Sequence, residues 1–278
     1  MKRKKKQVRN LIVLANVILA LVYLLPLYWN FITSIKEKNE IYTVPPTLIP
    51  QSFTWSNYVK IFTEKGGAYL GYFLNSVQID LLTVLLVCVI SVIAGYGFSK
   101  LEIYGKRIFM GLILATIMVP FQALMIPLYT MMSDLHLLNT KACMIIIYVT
   151  FQSPFCIYMM KSAFDMIPKE LREAALIDGA GDFTCFTRVY MPLVIPSAVT
   201  CAVYAAYNTW NDYLIALVFA GSSTKTFNVG LVGMAIGEYG TDWGLLTAGS
   251  FIGLIPIMLL FLILQKYFVK GMMSGAIK

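Results

Sequence analysis

Apolar residues in this chain gather into long unbroken runs, not into the alternating or 3.6-residue stripes of a soluble domain. Six runs lie at about 10–34, 69–98, 108–132, 141–161, 192–220 and 243–266. Each is near or above the roughly 20 residues that carry a helix across a bilayer. The pattern therefore predicts an all-α membrane protein of six transmembrane helices. The fourth run is the shortest and contains Pro154. Charge in mid-run is confined to Asp80 in the second and Asp212 in the fifth.

The polar intervals are uneven. Residues 35–68 form a long loop with Pro45, Pro46 and Pro50, then a short amphipathic piece at 55–62 whose aromatics suit a membrane interface. The connection at 221–242 is rich in glycine. The longest polar-rich stretch is 170–196. Pro168 suits the first turn of a helix, where a missing N–H costs nothing, and Leu171, Ala174, Ala175 and Ile177 recur near helical spacing. Gly179 and Gly181 permit a stop and a sharp turn. Asp182 is placed to cap a second short helix, to which Phe183, Phe186, Val189 and Tyr190 give one oily side. Two short helices with small residues at the corner make a compact knob. It suits a cleft on another protein, and it equally suits an amphipathic connector.

Composition and charge sharpen this picture. Hydrophobic residues make up 59% of the 278 and charged ones 13%, too little charge to keep soluble domains in solution. The net charge of +8 could suggest nucleic acid, but its placement reads as topology. With the N-terminus inside, Lys2, Arg3, Lys4, Lys5, Lys6, Arg9, Lys100, Lys106, Arg107, Lys161, Lys169, Arg172, Arg188, Lys266, Lys270 and Lys278 all face the cytoplasm. Only Lys36, Lys38, Lys60, Lys65, Lys141 and Lys225 face out. That asymmetry puts both termini and the 170–196 knob in the cytoplasm of a multi-pass cell-membrane protein. The basic N-terminus is expected to contact anionic lipid, with no nucleic-acid role. The first run is too long for a cleaved signal peptide.

Candidate chemistry is sparse. Cys88, Cys143, Cys156, Cys185 and Cys201 are scattered and His136 is the only histidine; they read as buried apolar thiols with no metal site. The Gly105-Lys106 pair is followed by Arg107 and lacks the upstream glycine of a nucleotide-binding loop. No catalytic constellation appears. The chain therefore shows no energy source of its own; an ion-coupled secondary transporter carrying protons on Asp80 or Asp212 is one class that its sparse intramembrane acids would fit. Asp212 follows Tyr207, Asn208, Trp210 and Asn211, a mix of hydrogen-bonding groups and flat aromatic faces of the kind sugars bind. Asp80 lies near Asn75, Ser76 and Gln78, and Gln122 and Gln152 add polar groups to the third and fourth runs. These residues line a substrate path, or they hydrogen-bond between helices with no ligand.

Glu173-Ala174-Ala175, then Gly179, Phe186, Val189, Pro192 and Pro196 closely resemble the EAA loop of the permease subunits of ATP-binding-cassette importers. YVKIF around Tyr58, NSV at Asn75, WND at Trp210 and the tail QKYFVKGMMSGAIK resemble its carbohydrate branch, which includes the maltose and multiple-sugar permeases. The resemblance spans nearly the whole chain. It implies a type I importer core: a first helix (1–34), an extracytoplasmic loop (35–68), five further helices (69–266) with a cytoplasmic coupling loop at about 162–191, and a tail (267–278). The tail, too glycine-bearing for a rigid helix, would reach the ATPase pair. The implied function is one non-catalytic half of an ATP-driven carbohydrate import path; glycerol phosphate is an alternative cargo. Implied partners are a second permease, two ATPase subunits that hold ATP and Mg, and an external sugar-binding protein contacted by the outer loops. In the coupling loop, Glu173 would pair with a basic residue of the ATPase, Ala174 and Ala175 would allow close approach, and Gly179 would make the bend. Asp178, Phe183 and Phe186 complete the expected docking set.

Overall fold

The computed structural model describes residues 2–237 and 240–276, and the side chains of residues 6–265 apart from Val8, Lys65, Glu238 and Tyr239. The chain is helical almost throughout, with one two-residue hairpin, Ile236–Gly237 (β1) and Gly240–Thr241 (β2). Among the described residues five helices are long and apolar enough to cross a membrane, or six if a bent pair counts as one span. They are α1 (Lys2–Ser34), α4 (Ala68–Lys100), α7 (Lys141–Asp165), α10 (Met191–Asn211, entered through a short lead-in) and α13 (Trp243–Ala276). The bent pair is α5 (Lys106–Thr116) and α6 (Phe121–Asp134), which meet at 96°.

That bend corrects the expected third span. Pro120 stands immediately before α6 with extended backbone (ψ 134°); it lacks an N–H and crowds Val119 out of helical geometry. The fifth run is also broken. α10 stops at Asn211, and Asp212 turns extended (ψ 140°). Its carboxylate accepts from Ala216 N at 3.1 Å and Ile215 N at 3.4 Å in α11 (Leu214–Phe219). A third correction concerns the tail. Its backbone continues α13 to Ala276 despite Gly271 and Gly275, each worth only about 1 kcal/mol against helix; residues 277–278 lie outside the described residues.

The chain forms two compact units. The first holds the chain through Gly71 together with Gly230–Ile255. In it, α1 exposes its leucines and valines, as a helix built to meet lipid or another helix does. Beyond α1 come α2 (Lys38–Ile41) and α3 (Ser56–Thr63). Asn57 ties α3 back to the end of α1 by donating to Ser34 O (2.9 Å) and Lys36 O (3.2 Å). Phe31 meets Phe251 of α13 at 5.2 Å.

The loop between α2 and α3 is organised on one buried carboxylate. Glu40 accepts from Thr47 Oγ1 (2.6 Å), Gln51 N (2.9 Å), Ser52 N (3.2 Å) and Ser52 Oγ (3.3 Å). The Thr47 hydroxyl and the two backbone N–H groups outweigh burial and lower its pKa to about 2. The stability this gives is complete above the unfolded pKa of about 4.3 and vanishes as pH falls through 2. Acidification from pH 5 to 2 should therefore release this loop, read as falling protection factors for hydrogen exchange at Gln51 and Ser52. In Glu40→Gln the same exchange should be fast already at pH 7.

The second unit holds Tyr72–Val229 and the chain from Pro256 on. Its interior is the junction of α4, α7 and α10. Ser76, Asp80, Thr83, Val87 and Ser91 recur every three or four residues along α4, and all are buried: one helix face turned inward. Val87, Cys156, Met160, Phe164, Cys201 and Ala205 form one core cluster. Ile79, Met144, Ile147, Tyr148, Ile215 and Phe219 form the other. Four of the five cysteines are buried in these clusters and Cys88 is half-buried, all as free thiols. Helices α4 and α7 approach closely at Gly95, where a Cβ would fall 2.6 Å from Met160 Cβ and 2.8 Å from Lys161 N.

Candidate functional site

The knob forms as the sequence suggests, with one change in how it is tied. α8 (Glu170–Ile177) ends on Gly179 at φ +83°. Gly179 N donates to Leu176 O (3.0 Å) and Ala180 N to Ala175 O (2.9 Å). These are the paired 5→2 and 6→1 bonds of a Schellman cap, which needs glycine at the left-handed position. Asp182 opens α9 (Asp182–Thr184) but does not cap it. Its carboxylate takes Arg172 Nη2 at 2.7 Å instead, which raises the Arg172 pKa and clips the two short helices together.

From α9 the chain passes through a π turn, Cys185–Tyr190, into α10. A π turn brings residues five apart onto one face, and here Cys185 and Tyr190 both enter the core. Phe186 also turns inward: its ring lies 4.8 Å from that of Tyr96, which in turn meets Tyr190 at 5.7 Å and Phe164 at 5.6 Å. Lys100 Nζ donates to Ile167 O (2.9 Å) and sits 5.3 Å over the Tyr190 ring. Phe186 and Ala175, expected in the docking set, thus anchor the knob to α4 and α7. The outward set is Glu173, Ala174, Ile177, Asp178, Gly179 and Phe183, all exposed. Ile177 at 86% and Phe183 at 79% exposure are apolar side chains in a polar segment, with nothing among the described residues to cover them.

The expected path residues divide. Gln152 is buried and donates to Thr209 Oγ1 at 3.0 Å. Asp212 accepts from Tyr148 Oη at 2.7 Å as well as from α11. Trp210 is buried, edge-on to Phe73 at 5.6 Å and stacked on Phe227 at 6.2 Å. Asp80 is buried on the inner face of α4. Asp80, Gln152 and Trp210 are thus buried in the bundle and Asp212 half-buried, while Asp80 Oδ1 and Gln152 Oε1 have no hydrogen-bond partner among the described residues. Asn208 and Asn211 are exposed on α10, as Gln122 is on α6. With Tyr204 and Tyr207 the two asparagines occupy positions i, i+3, i+4 and i+7, one stripe of the helix. Each amide donates to its own helix, to Tyr204 O (2.8 Å) and Tyr207 O (2.9 Å), leaving its carbonyl oxygen outward. Tyr204 and Tyr207 also carry weak signal in the sequence, since only their spacing with the asparagines marks a face.

Known proteins match this architecture. Residues 87–274 match the family described as "Binding-protein-dependent transport system inner membrane component". The chain is 36% identical over 262 residues to "Probable ABC transporter permease protein YurM" of Bacillus subtilis, covering 94% of this chain and 85% of that one. It is 32% identical over 282 residues to "Arabinooligosaccharides transport system permease protein AraQ" of Halalkalibacterium halodurans, covering 100% of both. A solved chain from a bacterial ABC transporter involved in the import of the acidic polysaccharide alginate superposes with a TM-score of 0.80 at 25% identity, covering 95% of this chain and 97% of that one.

Proposed function

Because the chain belongs to the family of binding-protein-dependent transport system inner membrane components, we propose that it forms one half of the membrane path of an ATP-driven carbohydrate importer. The sugar cargo follows from relatives named for arabinooligosaccharide transport and from a solved relative that imports alginate. The observation that carries the coupling role is the knob: apolar Ile177 and Phe183 held outward beside Glu173, on a base locked to α4 and α7 by the packed rings of Tyr96, Phe164 and Phe186. A partner ATPase subunit that binds ATP and Mg covers this patch. Its closing and opening move the knob, and the rigid base passes the motion to the spans. Nucleotide drives that motion only by contacting one state better than the other.

In this reading both termini and the knob lie in the cytoplasm, and the outer loops receive a sugar-loaded binding protein. A second permease completes the path. The Tyr204, Tyr207, Asn208 and Asn211 stripe faces that path, because an exposed carbonyl acceptor in a spanning helix costs free energy against lipid and none against water or a sugar hydroxyl.

Uptake by the complete importer in proteoliposomes decides between this and an ion-coupled carrier. Labelled arabinooligosaccharide, presented by its binding protein outside, should enter only when ATP is enclosed on the knob side, inside the vesicle, and an uncoupler should leave the rate unchanged. Uptake that collapses with the uncoupler while ATP is present overturns the reading.

A further inference from the structure

The first unit contains a cavity of about 660 Å³ at the C-terminal end of α1. Leu25, Pro26, Trp29 and Ile41 supply apolar wall, and Tyr42 and Trp243 stand at its exposed edge. Lys36 lines it, only 2% exposed. One ammonium hydrogen goes to Thr47 O and the charge lies 5.1 Å from the centre of the Trp29 ring. No carboxylate pairs with Lys36 among the described residues. Glu40, four residues on, has both oxygens engaged by Thr47, Gln51 and Ser52. A buried cation without an anion is costly, and an ammonium has three donors to place. Asn30, one turn and a half earlier on α1, also lines the cavity, and its buried Oδ1 has no hydrogen-bond partner. The cavity therefore offers a cation and an acceptor beside an apolar wall that runs down an exposed spanning helix. Tryptophan and tyrosine mark the depth as the membrane interface.

We propose that this cavity is a binding site for a phospholipid of the leaflet at the C-terminal end of α1, the outer leaflet in the topology proposed above. The headgroup phosphate sits against Lys36. A hydroxyl or ammonium of the headgroup donates to Asn30 Oδ1. The acyl chains lie along Leu25 and Pro26. A neutral oligosaccharide would leave Lys36 without a counter-charge, and a free phosphate would leave the apolar wall uncovered.

Native mass spectrometry of the complete importer, delipidated in detergent and titrated with short-chain phosphatidylglycerol, tests the site whether or not the complex transports. Wild type and Lys36→Arg should retain one lipid that Lys36→Gln binds at least 10-fold more weakly. Leu25→Trp fills the groove without touching the loop around Glu40, and it should lose the lipid equally. Equal retention by all four proteins overturns the proposal. So does inorganic phosphate binding that phosphatidylglycerol fails to displace, or occupancy by maltotriose in place of lipid.

Discussion

Ile177→Asp combined with Phe183→Asp should reduce ATP-driven uptake at least about 100-fold while the permease itself folds normally. Both side chains are exposed in the isolated chain, at 86% and 79%, so replacing them removes little internal contact. In the assembly each would be buried, and burial of a large apolar side chain contributes about 1.5–3 kcal/mol. Losing two such contacts is worth about 3–6 kcal/mol, or two to four decades in a binding constant, before the cost of sealing two carboxylates under a partner. Glu173→Lys should do much less, since a rim ion pair is worth under about 1 kcal/mol. The measurements are co-purification of the ATPase subunits and stimulation of ATP hydrolysis by the loaded binding protein. If the double variant still co-purifies with its ATPase and still responds to the binding protein, the knob is not the docking surface. Gly179→Val separates shape from contact. At φ +83° a β-branched residue is strained by about 1–2 kcal/mol, so the Schellman cap opens and Ile177 loses its aim, and coupling should weaken by a smaller factor.

The spans, the knob and its glycine turn could be read from the sequence because each is written locally. Apolar runs mark the helices, and the Gly179 cap lies within six residues of the groups it satisfies. What the sequence did not mark depends on partners far apart in the chain. The division of Phe186 from Phe183 is an example. Both sit on one oily side in a helical projection. Only the π turn at Cys185–Tyr190 sends Phe186 toward Tyr96, and a π turn leaves no reliable mark in composition. For Asp212 the sequence left a path role and interhelical hydrogen bonding both open, because nothing local showed that Tyr148, 64 residues earlier, would donate to it. The 96° bend after α5 did have a local cause in Pro120, but hydropathy averaged across it. The Lys36 and Glu40 arrangement was equally hidden: Lys36 counted only as an outward-facing positive charge, Glu40 belonged to no motif, and the fold buries both.

The same long-range logic makes Gly95→Leu strongly damaging within the bundle. At Gly95, α4 lies so close to α7 that even a methyl group would meet Met160 Cβ at 2.6 Å, Lys161 N at 2.8 Å and Met160 C at 3.0 Å. Two of those atoms are backbone, so no rotamer change relieves the clash and the helices must separate. In a bilayer, helix association relies on close packing, with no hydrophobic drive to compensate for a gap. Overpacking of this kind costs about 1–3 kcal/mol, which corresponds to a fall in Tm of about 2–12 °C for a chain of this size. Gly95→Ala should already show most of the loss. Gly111→Ala is the matched control: it lies inside α5 with nothing within 4 Å of its added methyl, and replacing a mid-helix glycine with alanine favours the helix by about 1 kcal/mol. Its Tm should hold or rise. The consequence reaches function through the next residue. Tyr96 is the ring on which Phe186 and Tyr190 rest, so parting α4 from α7 loosens the base that passes motion from the knob to the spans. Gly95→Ala should therefore lower the uptake obtained per ATP hydrolysed even at temperatures where the complex stays assembled, while Gly111→Ala leaves that ratio unchanged. A Gly95→Ala importer with an unaltered ratio and an unaltered Tm would mean that the crossing of α4 and α7 carries neither the packing nor the motion assigned to it.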